Sequence, residues 1–185
     1  MNKKALIPSG ISSLRIAALP IFLYFFSMHA AVWCIVVFGL TQITDLIDGY
    51  VARKLGAASK AGAYFDAATD FVLITGIFFA FTVSGYYPGW ILLLIAASFA
   101  QFILSSLCSK KLYDPLGKYI GSILYIAIGL TLLSPTTPIF ILVEVGFPIW
   151  TLTSFATRII SFTADYRRTL LIQKTNLKQP RTQTA

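Results

Sequence analysis

The feature that most constrains this chain is a pair of neighbouring apolar segments that together carry four aspartates. The stretch from Asp45 to Asp70 reads DLIDGYVARKLGAASKAGAYFDAATD, and long apolar runs precede and follow it. A carboxylate at the centre of a membrane-spanning helix costs roughly 2.5 to 3.5 kcal/mol on insertion scales. Four carboxylates in two adjacent segments therefore require a cation, a cavity or both.

The spacing of these acids predicts that they face one another across a helical hairpin. Asp45 precedes Asp48 by three residues, so both lie on one helical face, and the four-residue step from Asp66 to Asp70 has the same effect. Residues 56–59 between the pairs are small and turn-prone, which suits a loop. In antiparallel helices joined by that loop, Asp45 lies level with Asp70. Asp48 likewise lies level with Asp66, so four oxygen ligands converge.

Convergent carboxylate oxygens suit hard divalent cations such as Mg²⁺, Mn²⁺ or Ca²⁺. Four carboxylates exceed the charge of one such ion, which favours two metals, or one metal with a phosphate-bearing ligand and a free base. Gly49, Ala52 and Gly62 leave room for a ligand close to the backbone. Arg53 supplies a permanent cation for phosphate. Together these residues predict a pyrophosphate site.

The composition places this chain among integral membrane proteins. Of its 185 residues, 57% are hydrophobic and 12% are charged, with a mean hydropathy of +0.77. We predict an all-α fold of six transmembrane helices, with a single domain over 1–164 and a basic cytoplasmic tail over 165–185. The six apolar segments are 11–29, 31–54, 62–84, 89–108, 117–134 and 138–161. Each is long enough to cross a hydrocarbon core of about 30 Å.

The basic residues predict the orientation in the membrane. All fifteen Lys and Arg lie on one side of the predicted segments, and none lies in the connections Ser27–Ala30, Gly85–Gly89 and Ser134–Pro138. The positive-inside rule therefore places both termini and the acidic hairpin loop in the cytoplasm. Anionic lipid headgroups and acidic substrates explain the net charge of +8, and we expect no nucleic-acid partner.

The acidic stretch resembles the signature of the CDP-alcohol phosphatidyltransferase family. That signature is D-x-x-D-G-x-x-A-R, eight further residues, and G-x-x-x-D-x-x-x-D. The matching positions are Asp45, Asp48, Gly49, Ala52, Arg53, Gly62, Asp66 and Asp70. Because all eight match with the correct gaps and within apolar segments, the resemblance is far more specific than a single glycine loop.

The resemblance implies a membrane enzyme that transfers a phosphatidyl group from a CDP-lipid to an alcohol and releases CMP at the cytoplasmic face of the cell membrane. It also implies a homodimer and two bound Mg²⁺ or Mn²⁺ ions. The expected metal ligands are Asp45, Asp48, Asp66 and Asp70. Asp70 is also the expected general base. The expected CDP-lipid contacts are Gly49, Ala52, Arg53, Ser59 and Gly62.

The acceptor alcohol is left open by the sequence. Lys118 and Arg158 lie toward the cytoplasmic ends of their segments, where each could bind an acceptor phosphate or serve as an ordinary interfacial anchor. Glycerol 3-phosphate is the first choice on this ground. Inositol phosphate, serine and other alcohols are alternatives, and the donor could carry diacylglycerol or archaeol.

Two other interpretations of the aspartates compete with this one. A buried ion-pair network with Arg53 and Lys54 would set four anions against two cations, and the deficit disfavours it. A cation transporter would need a polar route through the outer half of the membrane. Apart from Glu144, the outer halves of the predicted segments are apolar.

Overall fold

Residues 3–54, 60–108 and 119–178 are described by a computed structural model of the chain. Within these ranges the protein consists of six α-helices and contains no strand, so the predicted all-α fold is confirmed. The helices are α1 (Lys3–Ser27), α2 (Ala31–Lys54), α3 (Lys60–Val83), α4 (Trp90–Cys108), α5 (Ile120–Leu133) and α6 (Thr137–Lys178). Helix α6 thus continues through the first part of the predicted tail.

Two helical segments have both the length and the hydropathy of a membrane span. They are Tyr64–Val83 and Thr137–Ile160. Four shorter apolar segments are Arg15–Ser27, Ala31–Ile47, Trp90–Ile103 and Ile120–Leu133. The topology of six spans with both termini in the cytoplasm stays a prediction.

The outer surface of the helices is unusually apolar. Each of the six helices exposes large hydrophobic side chains, among them Ile21, Leu46, Phe79, Leu93, Leu133 and Leu152. Leu46 and Leu93, for example, are each 73% exposed. Soluble monomers rarely expose apolar surface on every side, whereas a lipid-facing surface is expected to be apolar.

Helix packing among the described residues joins both successive helices and helices that are distant in sequence. Helix α1 packs against both α2 and α3, α5 contacts α2 and α3, and α6 lies against α4 and α5. The α1–α2 connection is closed by backbone hydrogen bonds from the His29 N–H to the Phe26 carbonyl and from the Ala30 N–H to the Phe25 carbonyl, each 3.0 Å long. His29 has a φ of 54°, the left-handed conformation that ends many helices.

Aromatic side chains fill the end of the helices that is remote from the acidic hairpin loop. Phe26 of α1 packs against Phe81 of α3 with 5.5 Å between ring centroids, and Tyr87 packs against Phe140 of α6 at the same distance. The buried hydroxyl of Tyr87 lies 2.6 Å from the Thr131 hydroxyl of α5. This cluster fixes four helices at one end, while the acidic residues lie toward the other.

Gly76 allows α1 and α3 to approach closely. A Cβ atom at Gly76 would lie 2.6 Å from Cδ2 of Leu19, well inside van der Waals contact. At Gly39 of α2, by contrast, a Cβ atom would meet nothing within 4 Å. The absence of a side chain at Gly76 therefore sets the α1–α3 spacing.

We expect Gly76→Leu to lower the melting temperature because it overpacks the α1–α3 contact. Overpacking costs about 1 to 3 kcal/mol, and about 2 to 4 °C accompanies each kcal/mol in a protein of this size. Thermal unfolding in detergent measures the effect. Gly39→Leu is the matched control, and an equal loss in both variants would contradict the role of Gly76.

Candidate functional site

Three of the four aspartates meet around one arginine of α1. Nη1 of Arg15 lies 2.9 Å from Oδ1 of Asp66 and also contacts Oδ1 of Asp70. Nη2 of the same guanidinium contacts Oδ1 of Asp45. Arg15 is only 1% exposed, whereas the three aspartate side chains are 27% to 41% exposed, so a buried guanidinium is paired with partly exposed carboxylates. The three aspartates therefore share one site, as their spacing predicted.

The helix packing explains why Arg15 reaches these acids. Leu19 follows Arg15 by one helical turn and lies against Gly76 of α3. Asp70 precedes Gly76 on α3, so the close approach brings the guanidinium within reach of its carboxylate. Helix α2 returns antiparallel to α1 and carries Asp45 to the same level.

The other predicted site residues are described less fully. Helix α2 includes Asp48, Gly49, Ala52 and Arg53, but their side chains lie outside the described part of the structure. Ser59 and Lys118 lie outside the described residues altogether. Gly62 is described and lies one helical turn before Asp66 on α3. The roles predicted for these residues stay predictions.

Tyr125 of α5 adds a second partner to Asp70. Its hydroxyl donates a hydrogen bond of 2.7 Å to Oδ1 of Asp70. The tyrosine ring packs against Phe38 of α2 with 6.0 Å between centroids. Arg15 and Tyr125 therefore hold the same carboxylate oxygen from two different helices, which fixes the orientation of the Asp70 side chain.

Sequence reasoning missed both of these partners. Arg15 was counted only among the positive charges of the cytoplasmic side. A signal was nevertheless available, because Arg15 and Asp45 stand at similar distances in sequence from the α1–α2 connection and so lie level in an antiparallel pair. Tyr125 gives no comparable signal, since a tyrosine in an apolar helix usually packs in the core.

A cavity of about 170 Å³ lies beside Asp70, between α3, α4 and α5. Asp70 and Ser98 supply its polar lining. The remaining lining residues are Ala67, Phe71, Ile74, Ile95, Phe99, Phe102, Ile120, Gly121 and Leu124. Ser98 is 2% exposed, and its hydroxyl has no hydrogen-bond partner among the described residues. Asp70 thus borders both the arginine-centred cluster and a largely apolar space.

Arg158 lies at a second polar region, between α4 and α6. Its Nη1 donates a hydrogen bond of 2.6 Å to the backbone carbonyl of Gln101. The side-chain amide of Gln101 and the hydroxyl of Ser154 are buried and have no partner in the described part of the chain. Arg158 therefore points toward α4 and is not a simple interfacial anchor.

The donor set has the chemistry of a site for a hard divalent cation. Three carboxylates and one guanidinium carry a net charge of −2, which one divalent ion would neutralise. The three carboxylates close on Arg15, and among the described residues no group of three acidic, histidine or cysteine side chains is arranged to hold an ion directly. The residue types fit a metal, and Arg15 already occupies the space between them.

Fold and site together define a helical membrane protein with a buried acidic site between its first three helices. The chain matches the family model described as CDP-alcohol phosphatidyltransferase over residues 5–164. It therefore belongs to the CDP-alcohol phosphatidyltransferase family, whose members are integral to membranes. The resemblance inferred from the acidic stretch is confirmed.

Curated relatives match about half of the chain. A "Putative cardiolipin synthase" of Mycobacterium tuberculosis is 32% identical over 93 residues, covering 50% of this chain and 44% of that protein. A CDP-diacylglycerol–glycerol-3-phosphate 3-phosphatidyltransferase of Pectobacterium atrosepticum is 28% identical over 103 residues, covering 54% and 56%. A protein of the same name from Yersinia enterocolitica is 30% identical over 105 residues, covering 55% and 57%. The chain thus spans about half the length of the curated relatives it matches.

Tyr125→Phe tests the second contact to Asp70. A hydrogen bond to a charged group contributes about 1.5 to 3 kcal/mol, so we expect a lower free energy of unfolding by about this amount. Denaturation in detergent measures it. Tyr24→Phe is the matched control, because Tyr24 is 57% exposed on α1. Equal stability of Tyr125→Phe and the unchanged protein would show that the bond does not hold Asp70.

Proposed function

We propose that this protein transfers a phosphatidyl group from CDP-diacylglycerol to glycerol 3-phosphate and releases CMP. The observation that carries the proposal is the convergence of Asp45, Asp66 and Asp70 around Arg15, within the stretch that bears the family signature. Carboxylates set among apolar helices are costly unless cations balance them, which supports a role for these acids in binding cations and phosphate.

The choice of acceptor rests on two observations. Relatives from Pectobacterium and Yersinia are named for glycerol 3-phosphate. In this chain, Arg158 lies beside Gln101 and Ser154, whose buried polar groups suit a small acceptor that carries both phosphate and hydroxyl groups. Lys118 is proposed to contribute to the same acceptor site. A lipid alcohol is the second candidate, because the Mycobacterium relative carries the name of a cardiolipin synthase.

The donor is proposed to bind along the hairpin of α2 and α3. Gly49, Ala52 and Gly62 would admit the CDP group close to the backbone, while Arg53 and Ser59 would hold its phosphates. Two Mg²⁺ or Mn²⁺ ions, held by Asp45, Asp48, Asp66 and Asp70, would supply Lewis-acid polarisation of the phosphorus and would neutralise charge on the leaving group.

Asp70 is proposed as the general base. Its Oδ1 accepts a hydrogen bond from Tyr125, and its side chain lines the neighbouring cavity. With Oδ1 fixed in this way, Oδ2 can accept the proton from the acceptor hydroxyl. The hydroxyl oxygen then forms a bond to phosphorus as the bond to CMP breaks, and CMP keeps the electron pair.

The setting proposed for this reaction is the cytoplasmic face of the cell membrane, in a homodimer with six spans per chain. The apolar side chains exposed on each described helix support the proposed location in a bilayer. The one-sided distribution of Lys and Arg supports the proposed cytoplasmic orientation of the site. The family match ends at residue 164, which supports a catalytic domain over 1–164 followed by the basic tail.

An acceptor screen tests the proposed reaction. Purified protein is incubated with CDP-diacylglycerol, Mg²⁺ or Mn²⁺, and one acceptor at a time: glycerol 3-phosphate, inositol phosphate, serine or phosphatidylglycerol. We expect CMP release and a phosphatidylglycerol phosphate product, identified by mass, with glycerol 3-phosphate alone. Chelation with EDTA should stop the reaction. A product with phosphatidylglycerol alone would establish the second candidate, and no CMP release with any acceptor would contradict the transferase.

Asp70→Asn tests the assignment of the base. We expect kcat for CMP release to fall by about 10² to 10⁴-fold, because an amide cannot take the acceptor proton. The variant should still fold, since the amide oxygen can accept the bond from Tyr125. Glu144→Gln, in a remote part of α6, is the control and should retain full activity. Unchanged kcat in Asp70→Asn would exclude this carboxylate as the base.

A further inference from the structure

We propose that Arg15 is a built-in counter-cation of the acidic site, which holds Asp45, Asp66 and Asp70 together before metal binds and then competes with the metal for them. This inference rests on the proposed metal-binding role of these aspartates. It assigns to Arg15 a positioning role that the acidic signature itself does not contain.

The first argument is the charge balance of the metal-free site. Asp66 and Asp70 both contact Nη1 of Arg15, so their carboxylates are close enough to repel each other strongly. Asp45 joins them through Nη2. One guanidinium therefore bridges acids from α2 and α3, and without it three like charges would face one another at short range. Arg15 allows the hairpin to close when no metal is bound.

The second argument is the way in which Arg15 is held. Among the described residues, the guanidinium of Arg15 makes polar contacts with carboxylates only, and its Nε has no hydrogen-bond partner there. Arg158 differs, because its guanidinium is tied to a backbone carbonyl of α4. The polar contacts that orient the Arg15 guanidinium are therefore those with the acids. If the acids turn toward another cation, no described backbone carbonyl keeps the guanidinium in place.

The third argument is electrostatic. A divalent ion on the same carboxylates would lie close to the guanidinium, and two cations at short range repel each other. Each acid contacts Arg15 through one oxygen, Oδ1, so the metal can begin to bind before Arg15 leaves. Arg15 must therefore stabilise the metal-free protein and weaken its affinity for the metal.

A thermodynamic cycle with Arg15→Gln and Mn²⁺ tests this inference. Without metal, we expect the melting temperature of Arg15→Gln to fall by about 5 °C or more, because a buried group of like charges is left unbalanced. Saturating Mn²⁺ should recover most of that loss, since the ion replaces the missing positive charge. Mn²⁺ affinity, measured by the paramagnetic resonance of the free ion, should become at least about tenfold tighter.

Two further variants serve as comparison. Arg15→Lys keeps the charge, but one ammonium cannot bridge all three acids as the two guanidinium nitrogens do. We therefore expect its Mn²⁺ affinity to lie between that of the unchanged protein and that of Arg15→Gln. If Arg15→Gln does not fold, the Mn²⁺ affinity of Arg15→Lys tests the counter-cation role. Arg158→Gln removes a partly buried arginine whose guanidinium bonds the backbone carbonyl of Gln101. Its loss of melting temperature should be the same with and without Mn²⁺, and its Mn²⁺ affinity should equal that of the unchanged protein.

Unchanged or weaker Mn²⁺ affinity in both Arg15 variants would overturn the counter-cation role. The same conclusion would follow if Mn²⁺ left the stability loss of Arg15→Gln undiminished, because Arg15 would then be a packing residue. CMP release by the unchanged protein is measured separately. An active enzyme with no change in Mn²⁺ affinity would disprove this inference alone, and an inactive protein with the expected change would disprove the proposed reaction alone.

Discussion

Carboxylates set between apolar helices call for balancing positive charge, and the arrangement of the first three helices meets that requirement. Arg15 brings α1 into a cluster that would otherwise consist only of acids from α2 and α3. The helix that carries it can approach α3 because Gly76 leaves space for Leu19. The ion pairs of Arg15 and the packing of Leu19 against Gly76 thus both join α1 to α3, and Arg15 and Leu19 are one helical turn apart.

The two ends of the helices have different physical character. Away from the acids, stacked and edge-on aromatic rings join α1, α3 and α6 through contacts that need no counter-ion. Toward the acids, the helices are joined by ion pairs and by the bond from Tyr125 to Asp70. An apolar end held by packing and a charged end held by ionic contacts would suit the proposed site for metal, nucleotide and acceptor.

Asp70 is the point where these contacts meet. It is shared by Arg15 and Tyr125, and it borders a cavity whose other walls are almost entirely apolar. This carboxylate has one side toward charged side chains and another toward an apolar cavity. That environment is consistent with the proposed role of Asp70 as the base toward a lipid substrate.

Local periodicity determined much of the acidic hairpin. Three- and four-residue steps place acids on one face of any helix, so the meeting of Asp45, Asp66 and Asp70 followed from the sequence, and so did the all-α class of this apolar chain. The charge deficit was also foreseen, but the cations weighed against it were Arg53 and Lys54. The cation observed in the cluster is Arg15.

Only the tertiary structure decided which other helices complete the site. Arg15 and Tyr125 are each 55 residues from Asp70, and Arg158 is 57 residues from the carbonyl it contacts. Contacts over such separations depend on helix spacing and rotation, which side-chain volumes such as those at Gly76 and Leu19 set. A helical repeat fixes neighbours along one helix and across one short loop. It carries no information about which face of a third helix will arrive beside them.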